Sequence, residues 1–249
     1  MKIAVIIPVT SNKCHYNNFK DTDIFNILFK SFFTSYSLSA VVGPGDLNHE
    51  YKFYLGIDSD DVFYQDYKVQ NDIKNFVRVM KNTTIELVSI DSSHKGNVCH
   101  IWNELFIKAY KDNYDYFVQI GSDIYFQDKD WVNACIDILK QNNDIGVVGM
   151  TDAGRRKSYP NDTLLTQSFV SRKHMKIFGF YYPYEFKNWY IDDWISEIYD
   201  LDSKKFIIPH RIYNCGGPPR YNIYGDRKLC DNMLKKYKDY ISDYIDKNN

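Results

Sequence analysis

Through the first half of the chain, short continuous apolar runs alternate with stretches whose apolar residues recur every three or four positions. KIAVIIPV, from Lys2 to Val9, is a continuous run closed by Pro8 and a polar loop, the pattern of a central parallel strand. Within Asp23–Tyr36 the residues Ile24, Ile27, Leu28 and Phe32 fall at helical spacing and predict a first crossover helix. Tyr51–Ile57 (YKFYLGI) reads as a second strand and runs straight into the acidic group Asp58–Asp61. A charged helix over Val69–Met80, a strand over Ile85–Asp91, a helix over Val98–Tyr110 and a strand over Tyr116–Ile120 follow. In the Val98–Tyr110 helix, Ile101, Leu105 and Ala109 share one face.

The second half is less regular. It predicts a helix at Trp131–Lys140, a strand at Ile145–Met150, a loop over 151–162 with two adjacent arginines, and a strand at Leu164–Ser171. A helix at Asp192–Asp200, a short strand at Phe206–Ile208, a Gly-Pro loop at Cys215–Tyr221 and one surface helix from Arg227 onward complete the pattern. Strand–helix alternation in this order predicts an α/β fold with a mostly parallel central sheet flanked by helices, in a single domain. Ligands of such sheets bind beyond the carboxyl ends of the strands, where Thr10, Asp58 and Asp123 are expected to meet.

Charge narrows the partners. Thirty-one basic residues against 32 acidic ones leave a formal charge of −1 over 249 residues, so no broad footprint for nucleic acid or anionic lipid exists. Five scattered cysteines without a C-x-x-C pair argue against a disulfide scaffold and a zinc knuckle, and fit a reducing, cytoplasmic compartment. No apolar run approaches the roughly 18 to 20 residues that span a bilayer, so no transmembrane segment is expected.

Three constellations could carry chemistry. In YFVQIGSDIYF, Asp123 follows a strand end and is flanked on both sides by apolar residues. An acid after a strand commonly caps a turn, but a carboxylate in apolar surroundings needs a partner, and a hard divalent cation bridging a diphosphate would supply one. Asp192 and Asp193 lie in NWYIDDWISEIY. Paired acids at a helix start are often capping groups, whereas Trp189, Tyr190 and Trp194 beside them suit a hydroxyl-bearing ligand and a general base. His210-Arg211 precedes CGGPPRY. A single histidine after a strand is commonly structural, yet an imidazole can ligate Mn²⁺ or Zn²⁺, and Arg211, Arg220 and the Gly216-Gly217 backbone could hold a phosphate.

Taken in order, IAVIIPVT, YLGIDSDD, HKGN with IWNELFIKA, YDYFVQIGSDIYF and WYIDDWISEIY resemble a GT-A fold glycosyltransferase, most closely the mainly inverting family 2 type. The resemblance spans most of residues 2–215 and implies a Rossmann-like domain. Residues 1–126 would form the nucleotide-sugar-binding half, 127–226 the acceptor-binding half, and 227–249 a C-terminal helix. It implies that Pro8, Val9 and Thr10 contact the nucleotide, that Asp58 hydrogen-bonds base or ribose, and that Lys95, Gly96 and Asn103 border the donor. Ser122 and Arg220 join that set. Asp123 matches the last acid of the D-x-D motif, with Gly121 where the first would stand; His210 resembles a histidine that completes the metal shell in some members. Asp193, with Asp192 as second choice, matches the base.

The implied activity is transfer of a sugar, a hexose by preference, from a nucleotide sugar such as a UDP-sugar to an acceptor hydroxyl, with Mn²⁺ or Mg²⁺ and with inversion. The implied acceptor is a glycan or a glycosylated protein. A second reading keeps the fold without turnover, as a carbohydrate- or nucleotide-binding module, with Gly121 as its mark. A third, a nucleotidyltransferase, needs a Gly-rich basic loop after the first strand, and SNKCHYNNFKD has no glycine.

Overall fold

The computed structural model describes residues 1–37, 49–217 and 219–248. Eight strands form one sheet: β1 (Lys2–Val9), β2 (Glu50–Asp58), β3 (Thr83–Ile90), β4 (Tyr116–Gln119), β5 (Ile124–Phe126), β6 (Val147–Asp152), β7 (Ser168–Ser171) and β8 (Lys205–Asn214). Their order is β3-β2-β1-β4-β7-β6-β8-β5. The first four are mutually parallel, as the alternating pattern requires. Strand β7 then runs antiparallel to both β4 and β6, β8 is parallel to β6, and β5 is antiparallel to β8.

Helices cover both faces, which is why β1 can be apolar throughout. Its odd residues Ile3, Val5 and Ile7 pack with Phe29, Phe32 and Phe33, with α2 (Tyr67–Arg78) through Val69, Ile73 and Val77, and with α4 (Trp131–Gln141). Its even residues Ala4 and Ile6 face α3 (Val98–Lys111) and α7 (Ile191–Asp200), where Trp194 is fully buried. Asp66 caps α2 by accepting from the Lys68 and Val69 amides, and Asn97 caps α3 by accepting from that of His100.

Several elements differ from the pattern. The first helix is a π-helical turn at Ile24–Phe29 that continues into α1 (Lys30–Ser37), so Leu28, Phe29, Phe32 and Phe33 can all be buried. Arginines 155 and 156 lie not in a loop but on α5 (Ala153–Ser158), started by Asp152, whose carboxylate accepts from the Gly154 and Arg155 amides. A short helix α6 (Lys173–Phe178) follows β7, which begins four residues later than its apolar run suggests. The expected short strand at Phe206–Ile208 is the ten-residue β8, and the terminal helix is two, α8 (Arg227–Tyr237) and α9 (Tyr240–Asn248).

In β8 the register against β6 jumps from Met150 opposite Ile208 to Thr151 opposite Arg211. Pro209 and His210 are therefore extra residues in a bulge, the position where a strand tolerates a proline without an N–H.

Candidate active site

Beyond β4 the chain turns through Ile120–Asp123 into β5. Gln167 accepts from the Gly121 amide at 3.0 Å, and the Cys215 amide donates to the Asp123 carbonyl at 2.9 Å. Because Ile124 pairs with Asn214, the end of β8 lies directly beside the acid. A Cβ on Gly216 would stand 2.2 Å from Asp123 Oδ2 and 2.8 Å from Asn214 Oδ1, so only glycine leaves the carboxylate and the amide oxygen their places. At Gly121 a Cβ would meet Asp123 Oδ1 at 2.6 Å: the carboxylate folds back over the position where a first D-x-D acid would be. Burial pushes the Asp123 carboxyl up, Asp23 adds to the rise, and Arg220 opposes it.

A cavity of about 540 Å³ opens from this turn. Asp123 and Asn214 line it together with Trp102, Arg155, Trp189, Asp192 and Asp193. Both acids of the pair sit in the first turn of α7, where the helix dipole favours negative charge. Burial overrides the dipole. It drives the Asp192 carboxyl up to about 7, reinforced by the Asp193 charge and opposed by Arg155. Asp193 is also raised, first by burial, with Arg227 and Arg155 among the opposing charges. The Arg155 guanidinium is itself bonded to Asp162.

The residues expected at the nucleoside form a second group, beyond the carboxyl ends of β1 and β2. Asp58 is 2 % exposed and receives the Tyr221 hydroxyl at 2.7 Å, while its Oδ1 has no partner. Thr10 Oγ1 lies 2.8 Å from the same hydroxyl. Ser11 donates to Asp61 through its amide and its hydroxyl, both at 2.7 Å. Lys95 pairs with Asp60 at 2.9 Å, and Gly96, at φ +76°, lies against the Tyr221 ring. Pro8 is half-buried, and the Val9 side chain is buried in the core. Burial raises the Asp58 carboxyl, with Asp60 and Asp61 adding to it and the Tyr221 bond and Lys95 opposing.

His210 and Asn103 lie away from these two groups, whereas Arg220 and Ser122 border them. His210, displaced by the β8 bulge, stands beside Asp128, whose carboxyl is held at about 2 chiefly by Arg211 hydrogen bonds with His210 contributing; it does not line the cavity with Asp123. Asn103 is fully buried: it accepts from the Tyr181 and Tyr182 amides at 2.9 Å each and donates to the Tyr182 carbonyl at 2.8 Å, a bracket for the 181–182 segment. Its helical spacing from Cys99 and Phe106 already marks that inward face. Arg220 pairs with Asp23 at 2.8 Å and contributes its field to Asp123. Ser122 is half-buried in the turn beside Asp123. Asn214 and Tyr221 reach the two groups without any local sequence signal, by sheet pairing and by the return of a loop.

Among the described residues no three His, Cys, Asp or Glu side chains converge as a metal site. The oxygens of Asp123 and Asn214 nevertheless suit a hard divalent cation of the Mg²⁺ or Mn²⁺ kind, which takes one or two carboxylates and draws its other ligands from phosphate and water.

No protein-family model matches the chain, and no curated protein does. Among solved structures, S. aureus TarS residues 1–349 in complex with UDP superposes with a TM-score of 0.56 at 14 % identity, covering 95 % of this chain and 70 % of that one. A longer TarS structure gives 0.56 at 13 % identity over 96 % of this chain and 44 % of its own. The chain has the GT-A fold. At this identity the likeness is one of architecture, and it matches the sheet and flanking helices described above. No helix among the described residues is long and apolar enough to cross a membrane.

Proposed function

We propose that this protein transfers a sugar, a hexose by preference, from a nucleotide sugar, UDP-linked by preference, to a hydroxyl of a glycan or glycosylated-protein acceptor, with inversion. The observation that carries the reading is one cavity lined by Asp123 and Asn214 together with the paired acids Asp192 and Asp193. UDP in the TarS structure of the same fold supports the choice of donor. Thr10, Asp58, Lys95 and Gly96 form the nucleoside end of the donor site.

Of the pair, Asp192 serves as base. A carboxyl raised to about 7 is half-deprotonated near neutrality and basic enough to take a proton from an acceptor hydroxyl as it attacks. Asp193, next to it, keeps that basicity high through its charge, and Trp189 and Trp102 give the acceptor sugar apolar faces. Asp123 and Asn214 would hold Mn²⁺ or Mg²⁺, which supplies positive charge to the leaving diphosphate.

A panel of nucleotide sugars, followed by nucleoside diphosphate release with and without Mn²⁺ or Mg²⁺, tests this. Asp123→Asn should lower turnover about a hundredfold or more while the thermal transition survives. A variant with wild-type turnover and metal response would remove Asp123 from the site. Calorimetric binding of UDP by a wild type that turns over no donor would make the chain a binding module.

A further inference from the structure

The segment 219–226 follows the end of β8 and crosses the nucleoside end. Thr10 Oγ1 lies 2.8 Å from the Tyr221 hydroxyl, and that hydroxyl donates to Oδ2 of the buried Asp58 at 2.7 Å, so one hydroxyl contacts both residues of the nucleoside group. The Tyr221 ring fills the space against Gly96. Further bonds tie the segment down: Arg220 to Asp23 at 2.8 Å, Asn12 to the Arg220 carbonyl, Lys13 to the Pro219 carbonyl at 3.3 Å, Asn188 to the Asn222 carbonyl at 2.8 Å, the Tyr224 amide to the Asn188 side-chain oxygen at 2.8 Å, and the Trp189 amide to the Tyr224 carbonyl at 3.2 Å.

These ties are polar. Only Arg220 and Tyr221 are inserted, while Asn222, Ile223, Tyr224, Gly225 and Asp226 are exposed, so the Tyr221 ring is the main apolar surface that the segment buries. Gly225, at φ +131° and close against the Trp189 carbonyl, turns the chain toward α8, and Gly217 upstream has nothing within 4 Å of where a Cβ would stand.

Building on the donor-site reading above, we infer that 219–226 is a self-occluding strap. Tyr221 occupies the nucleoside subsite in the empty protein, and a nucleoside diphosphate must displace it to reach Asp58 and Thr10. The unpartnered Asp58 Oδ1 is the acceptor the strap leaves unused, available to an incoming donor group. Apparent affinity is then the intrinsic affinity reduced by the fraction of open strap.

The test is calorimetric titration of UDP into the wild type, Tyr221→Phe and Tyr221→Ala, alongside amide hydrogen exchange of 219–226 with and without UDP. Tyr221→Phe keeps the ring and removes both hydrogen bonds, and should bind UDP about tenfold more tightly. Tyr221→Ala should bind at least as tightly, and exchange in the strap should quicken when UDP is added to the wild type. Equal or weaker binding by Tyr221→Phe, or a strap that UDP protects, would overturn the gate and make Tyr221 a wall of the donor site. If neither the wild type nor the variants bind any nucleoside diphosphate, the donor-site reading falls first and the gate with it.

Discussion

Replacing Asp192 by Asn tests the base assignment and its energetic cost together. In the fold the carboxyl titrates at about 7 against an ordinary 3.8, a difference equivalent to about 4 kcal/mol between the charged and neutral forms. Asp192 keeps partial contact with the cavity, where solvent screens its charge, so about 2 kcal/mol is the working figure. The sign follows from proton uptake. Below pH 4 the carboxyl is neutral in the fold and no penalty exists; as pH rises through 7 the unfolded chain binds fewer protons than the fold, and stability falls. Asn carries no charge at any pH. Asp192→Asn should therefore match the wild type at pH 4 and melt about 4 to 8 °C higher at pH 8. In the same variant, sugar transfer should drop about a hundred- to ten-thousand-fold. Wild-type kcat/KM should climb with pH and level off above about 7, and Asp193→Asn should move that limb to lower pH by removing the neighbouring charge. Scanning calorimetry at the two pH values and a pH–rate profile suffice. A melting difference independent of pH would refute the burial argument, and an Asp193→Asn enzyme that is dead beside an active Asp192→Asn would make Asp193 the base.

Gly216→Ala places a Cβ 2.2 Å from the present position of Asp123 Oδ2, so the carboxylate must swing away; turnover should fall about a hundredfold with the thermal transition retained, and an unaffected rate would show that the carboxylate position is not critical. Asn103→Leu leaves the Tyr181 and Tyr182 amides and the Tyr182 carbonyl without their bracket, which should cost about 3 kcal/mol or more in urea unfolding; an unchanged midpoint would show that water or a backbone shift replaces it.

The first half of the fold is legible because its strands are continuous apolar runs and its helices have one apolar face. Both signals are local, and β1, β2, β3 and β4 with the helices between them follow them closely. The mixed part of the sheet is not local. β5 is three residues long and exists as a strand because β8 pairs with it, and β8 extends past Ile208 only because the bulge at Pro209 and His210 absorbs the proline. His210 lies four residues before Asn214, the residue that β5 pairing sets beside Asp123, although His210 and Asp123 were expected to share a metal. Asp123, Asp192 and Asp193 could be picked out because each interrupts an apolar context. Asn214 and Tyr221 could not, since an asparagine at a strand end and a tyrosine in an aromatic-rich chain look ordinary until pairing and loop closure bring them to the acids. Asn103 was placed at the donor through a motif, but its neighbours on α3 turn it inward to bond backbone, which gives that polar group its partners without a ligand.

The bulge in β8 contains two residues, an even number, and strands alternate their faces with a period of two. Ile208 before it and Ile212 after it both reach the interior, and the phase carries through to Asn214 beside the acid. Loss or gain of a single residue here would invert that phase, turning Ile212 outward and Asn214 away from Asp123 while every site residue remained in the chain. Removal of the pair would leave the alternation intact. For any shortened or lengthened version of this strand, parity matters more than length, and an odd change at a position far from both carboxylates would disable the site as surely as replacing one of them.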